Sequence, residues 1–155
     1  GLGGDAFHLA ARGVSVTMVE RSPVVAALLE DALARARSGA LGAAAQTASG
    51  RLDLIVADAV GVLADARHAV VLLDPMFPGR QGSAATNKGL EALRIVTQRD
   101  EPDAAAMLDA ARRSATRRVV VKRGARDAPL ADVSPSGSLV GRSVRFDLYA
   151  PVHGQ

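Results

Sequence analysis

The chain has 155 residues, 48% hydrophobic and 23% charged, which fits one ordinary α/β-sized domain over residues 1–155 and excludes a disordered tail or a collagen-like rod. It has no cysteine, which excludes disulfides, thiolate metal sites and cysteine nucleophiles, and no run of about 18 apolar residues that could span a membrane. Charge is uneven: residues 1–111 carry 10 basic and 13 acidic side chains, whereas residues 112–155 carry 9 and 3, a basic portion suited to phosphates.

Short apolar runs alternate with helix-like runs, the pattern of a largely parallel sheet. Residues 1–4 form a glycine-rich loop, and residues 5–12 predict a helix closed by Gly13. VSVTMV (residues 14–19) predicts a strand ending at Glu20. Ser22 is placed to cap the next helix and Pro23 to occupy its first turn. On that helix Val25, Leu28, Leu29, Ala32, Leu33 and Ala36 recur at helical spacing and predict a buried face. Residues 38–50 are small and Gly/Ala-rich, a weakly specified connection.

LDLIVA (residues 52–57) predicts a strand ending at Asp58, with a short helix after it. AVVLL (residues 69–73) is nearly all apolar, as expected of a central strand covered on both faces, and runs directly into Asp74-Pro75-Met76-Phe77. Residues 79–89 read as a polar loop, and residues 90–98 and 103–114 as helices. Val119 to Val121, flanked by Arg117, Arg118, Lys122 and Arg123, predicts another strand, and residues 138–140 and 144–149 predict a hairpin through Gly141. The chain opens inside a glycine loop of the kind that normally follows a strand, so an amino-terminally incomplete chain is expected. With no charged-then-apolar signal layout at the front, the expected location is the cytoplasm.

Two features carry chemistry. Gly1-x-Gly3-x-x-Ala6 fits a nucleotide-binding turn, in which glycines let backbone approach the ligand and helix pack on strand. Glu20, Asp58 and Asp74 then end three consecutive strands, and open parallel sheets bind ligands outside the carboxyl ends of their strands. There Glu20 could accept ribose hydroxyls and Asp58 an adenine amino group.

The second feature is Asp74-Pro75-Met76-Phe77, similar to the (D/N)-P-P-(Y/F) turn of amino-group methyltransferases, with Met76 in place of the second proline. A base amine is a poor nucleophile because its lone pair is delocalised into the ring. Acceptors on the Asp74 side chain and the Pro75 carbonyl could hold the two N–H groups and aim the lone pair at a methyl carbon. Phe77 could stack on the extruded base. His8, His68 and His153 show no metal spacing, so no metal is expected. The run from Arg112 to Arg126 has seven basic residues and no acid, which reads either as a solvated surface or as phosphate contacts.

VTMVERSPVVAALLEDALARA (residues 16–36), LDPMFPGRQ (73–81), RVVVKR (118–123), APLA (128–131) and GRSVRFDLYA (141–150) together resemble the RsmJ family. Its members are bacterial 16S ribosomal RNA guanine-N2 methyltransferases that use S-adenosylmethionine. The resemblance implies an α/β class I methyltransferase sheet, mostly parallel with an antiparallel last strand. It also implies 16S rRNA or the small ribosomal subunit as partner. Carried over by position, cofactor contacts fall on Gly4, Asp5, Glu20, Arg21, Asp58, Ala59 and Asp74, and the glycine motif adds Gly1 and Gly3. The chemistry of the turn gives catalytic roles to Asp74, Pro75 and Phe77, and RNA contacts are expected at the basic residues Arg80, Lys122 and Arg123. Gly4 stands where the family usually has Arg, and Gly79 and Gly82 where basic residues are common. The family's segment before the glycine loop, with its acidic residue, has no counterpart in this sequence.

Two other readings compete. The glycine loop and Glu20 alone allow an NAD-dependent oxidoreductase, although no Tyr/Lys pair for hydride chemistry is evident and the turn after Leu73 is then unexplained. The other is a non-catalytic RNA-binding remnant.

Overall fold

A left-handed glycine starts the first helix. Gly3 has φ 73°, a conformation that disfavours any residue with a Cβ, and a Cβ built there would meet Leu29 Cδ2 at 3.0 Å. The structure, a computed structural model, describes residues 2–75 and 103–152. These residues form two compact units, one up to Ala59 and one from Val60 onward.

In the first unit, α1 (Gly4–Ala11) leads to β1 (Val16–Glu20) and α2 (Pro23–Arg37). Ser22 Oγ accepts from the Val25 amide at 3.5 Å and Pro23 opens the helix, as the sequence predicts. The buried stripe of α2 is Val25, Ala26, Leu29, Leu33 and Ala36. Leu28 and Ala32, expected in it, are exposed: the face is centred on Leu29 and turns toward Ala26 instead.

The stretch read as a weakly specified connection contains α3 (Ala43–Ser49). Gly42, at φ 89°, turns the chain into it, and its alanines are strong helix formers. Gln46 Nε2 donates to the Arg37 carbonyl at 2.9 Å, and Ala48 and Ser49 are buried. β2 (Leu52–Val56) pairs parallel to β1, from Val16↔Leu52 to Glu20↔Val56. Ala10, Leu33, Ala48 and Leu52 form the core, with Val25 and Leu29 beside Met18 and Leu54.

The second unit follows from α4 (Ala59–Asp65) and holds β3 (His68–Leu73), α5 (Ala104–Ser114), β4 (Ala115–Gly124), β5 (Gly137–Val140) and β6 (Val144–Tyr149). Asp103 caps α5, its side chain accepting from the Ala105 amide at 2.9 Å. The strand order is β3-β4-β6-β5. β3 runs parallel to β4, and β6 is antiparallel to both β4 and β5. β4 spans ten residues, well beyond the three apolar ones expected, because its ladders to β3 and β6 extend into the flanking basic residues. Val71, Leu73, Leu108, Ala111, Val119, Val121 and Tyr149 form its core.

β3 is not covered on both faces among the described residues. Val71 and Leu73 point into the core beside α5, while Val70 is 52% and Leu72 37% exposed. Among the described residues β1 pairs with β2 alone and β3 with β4 alone.

Candidate active site

In the first unit the expected cofactor residues gather at one end of the β1–β2 pair. Ala10, near the end of α1, packs with Leu52 and Val16, the first residues of β2 and β1. Helix α1 therefore runs against the strands, and its amino terminus, with Gly3, Gly4 and Asp5, points toward their carboxyl ends. A Cβ on Gly3 would press on Leu29 and lie in ordinary contact with Met18, so the loop lies close to α2 and β1. The Ala57 amide donates to the Glu20 carbonyl at 3.1 Å, which carries the ladder past Val56 and sets Asp58 and Ala59 just beyond Glu20 and Arg21. Glu20 Oε1 accepts from the Ser22 amide at 2.7 Å, so the entry to α2 orients its carboxylate. Asp58 and Arg21 are exposed, whereas Glu20 and Ala59 are half-buried.

In the second unit Asp74 follows β3 directly, and Pro75 comes next. Leu73 is in register with Val121, which brings the next residue of β4 alongside: Lys122 Nζ lies 3.1 Å from Asp74 Oδ2. The adjacent bases expected on RNA thus separate. Lys122 turns to the aspartate, while Arg123 points to the opposite face of the strand and is 7% exposed. Arg123 Nη2 donates to the Ala128 carbonyl. The RNA contact expected at Arg123 thus falls on a guanidinium that faces the interior of this unit. Gly1, Met76, Phe77, Gly79, Arg80, Gly82 and His153 lie outside the described residues.

Sequence reasoning missed a polar network behind β4. Asp147, fully buried on β6, accepts from Arg145 Nε at 2.7 Å and Nη2 at 2.9 Å, and from Ser138 Oγ at 2.6 Å. Arg145 also reaches the Ala125 and Asp127 carbonyls. Burial pushes the Asp147 carboxyl up, but the bonds from Arg145 and Ser138 and the charges of Arg145 and Arg123 outweigh it, so its pKa falls below the ordinary value. Burial lowers the Arg123 pKa, and burial raises that of Tyr149. The signal was the alternation Arg145-Phe146-Asp147, which puts opposite charges two apart on one face of a strand. Among the described residues no group of three His, Cys, Asp or Glu side chains is placed to hold a metal, and no helix is long and apolar enough to cross a membrane.

Residues 1–151 match the SAM_MT family model, which describes SAM-dependent methyltransferases. The chain is 50% identical over 155 residues to the ribosomal RNA small subunit methyltransferase J of Laribacter hongkongensis, covering 98% of this chain and 54% of that protein. It is 47% identical to the protein of the same name from Alkalilimnicola ehrlichii, covering 99% of this chain and 59% of the relative. A crystal structure of a SAM-dependent methyltransferase from Neisseria gonorrhoeae superposes with TM-score 0.78 at 32% identity, covering 100% of this chain and 60% of that one. A glycopeptide N-methyltransferase at 17% identity and TM-score 0.54, covering 97% of this chain and 54% of its own, shares the fold. The chain thus spans a little over half the length of the curated relatives it matches.

Proposed function

This chain belongs to the SAM_MT family of SAM-dependent methyltransferases, among the RsmJ proteins, and from that premise we propose that it methylates the exocyclic N2 amine of a guanosine in 16S rRNA. S-adenosylmethionine, when bound, supplies the electrophilic methyl group. The observation that carries the reading is Asp74-Pro75 standing directly at the carboxyl end of β3, in a fold whose other strand ends carry Glu20 and Asp58. The partner is 16S rRNA or the small ribosomal subunit, the place of action is the cytoplasm, and residues 1–155 act as parts of one methyltransferase domain.

The residues present fit the cofactor. Gly3 leaves backbone bare where the loop is tight, Gly4 and Asp5 open α1 beside it, and Gly1 is assigned to the same cofactor from its place in the glycine motif. The half-buried Glu20 carboxylate, oriented by the Ser22 amide, has the chemistry to accept both hydroxyls of a ribose. Arg21 flanks the ribose, and Asp58 and Ala59 receive the adenine edge. On the substrate side, Asp74 accepts one N–H of the amine and the Pro75 carbonyl the other, which favours a lone pair directed at the methyl carbon. Phe77 stacks on the base and Arg80 contacts phosphate in the same proposal.

The test is equilibrium binding followed by turnover, on the gene product in its full encoded length. Micromolar affinity for S-adenosylhomocysteine, none for NAD, and methyl transfer to undermethylated small subunits are the expected results. Tight NAD binding without S-adenosylhomocysteine binding would overturn the assignment. Cofactor binding without any transfer to rRNA would leave a binding protein in place of an enzyme.

A further inference from the structure

The Lys122–Asp74 pair is poorly explained by stability. Its side chains are 26% and 51% exposed, and ion pairs at such exposure add little to folding. Its two members are also unequally fixed. Lys122 sits inside β4, paired with Phe146 on β6, one residue beyond Val121, which is in register with Leu73. The next residue, Arg123, is tied to the Ala128 carbonyl. Asp74 has already left β3 and lies outside the ladder. A carboxylate at a strand end has several rotamers open to it, and the base on the neighbouring strand selects one.

We propose that Lys122 is a positioning residue for methyl transfer: by engaging Oδ2 of Asp74 it leaves Oδ1 turned outward to accept the N–H of the target amine. The inference rests on the function proposed above. In the step itself the amine nitrogen forms a bond to the methyl carbon as the carbon–sulfur bond breaks. The electron pair stays on sulfur, and the resulting ammonium loses a proton to water. Lys122 gains and loses no proton. It acts by holding the acceptor in the one orientation that aims the lone pair, where small misplacements cost rate steeply. The same geometry moves Lys122 from the RNA contact expected from sequence to a place behind the acceptor.

Lys122→Met and Lys122→Arg, made in the full encoded gene product and assayed on undermethylated small subunits, test this. Lys122→Met should lower kcat by about tenfold or more and leave KM for cofactor and for RNA within about twofold. Lys122→Arg should recover most of the loss by restoring a donor to Oδ2. In an Asp74→Asn background, Lys122→Met should add little, because the two residues act as a unit. A raised KM for RNA with kcat unchanged would make Lys122 a phosphate contact and overturn the inference, as would unaltered kinetics. If Lys122→Met melts below the assay temperature, Lys122→Ala is judged by the same kcat and KM criteria. A wild type that neither binds S-adenosylhomocysteine nor methylates RNA overturns the proposed function and this inference together. An active wild type with a fully active Lys122→Met overturns this inference alone.

Discussion

Asp147→Ala tests whether the buried network sets the stability of the second unit. The carboxylate is fully buried and takes three side-chain hydrogen bonds, two from Arg145 and one from Ser138. Removing it leaves the Arg145 guanidinium, 15% exposed as a side chain, with the Ala125 and Asp127 carbonyls but without its carboxylate, beside the buried Arg123. Breaking a buried pair by deleting one partner costs about 3–5 kcal/mol, a large share of the roughly 5–15 kcal/mol that holds a domain together. In a protein of this size each kcal/mol moves Tm by about 2–4 °C, so a drop of roughly 6–20 °C is expected. Thermal and urea unfolding of the gene product measure it, with Asp109→Ala as control. Asp109 pairs with Arg113 where both side chains are more than half exposed, and its loss should cost under about 1 kcal/mol. The pH dependence has a definite sign. The folded pKa of Asp147 lies below its ordinary value, so the folded chain binds the proton more weakly than the unfolded one. Its contribution is complete above the unfolded value of about 3.9 and is lost as pH falls through the folded value. The gap between wild type and variant should therefore hold at neutral pH and narrow below about pH 4. A neutral-pH difference no larger than the Asp109 control, or a gap that widens on acidification, would refute the argument.

Asp74→Ala should reduce turnover about 10²-fold or more and change S-adenosylhomocysteine affinity only modestly, because its contact matters mainly in the transition state. Single-turnover transfer and calorimetric binding separate the two effects. Gly3→Ala forces a side chain into φ 73° with its Cβ at 3.0 Å from Leu29 Cδ2. The left-handed conformation alone costs about 1–2 kcal/mol, so both Tm and cofactor affinity should fall, whereas Gly4→Ala, with open space around its Cβ, should keep Tm near wild type.

The parallel strands, α1, α2 and the hairpin were legible because each has a local cause: alternation or an apolar run, Ser22 with Pro23, Gly13, and Gly141, whose amide donates to the Val144 carbonyl at 2.8 Å. The three acidic strand ends were legible for the same reason. Failures came where tertiary pairing overrode local pattern. α3 lies in an alanine stretch that has helix propensity but no apolar periodicity to mark its face, and only the fold shows Ala48 and Ser49 to be buried. β4 runs beyond its apolar centre into flanking basic residues, held there by β3 and β6. Arg123 and Lys122 look alike in sequence, and only the period of two within β4 sends one inward and the other to Asp74.

Two aspartate–base pairs in the second unit illustrate how exposure assigns purpose. Asp147–Arg145 and Asp74–Lys122 are chemically similar, each a carboxylate held by a base near 3 Å. The first is buried and bidentate, so its loss leaves charge without solvent and the cost appears in folding. The second is partly solvated, so its loss is cushioned by water and little cost appears in folding. What remains for the second pair is orientation of Asp74, a cost that appears only when an amine must be aimed. The two pairs should therefore dissociate cleanly: Asp147→Ala lowers Tm, while Lys122→Met lowers kcat at nearly unchanged Tm. Equal effects of both substitutions on Tm would mean that exposure does not separate scaffold from chemistry in this sheet.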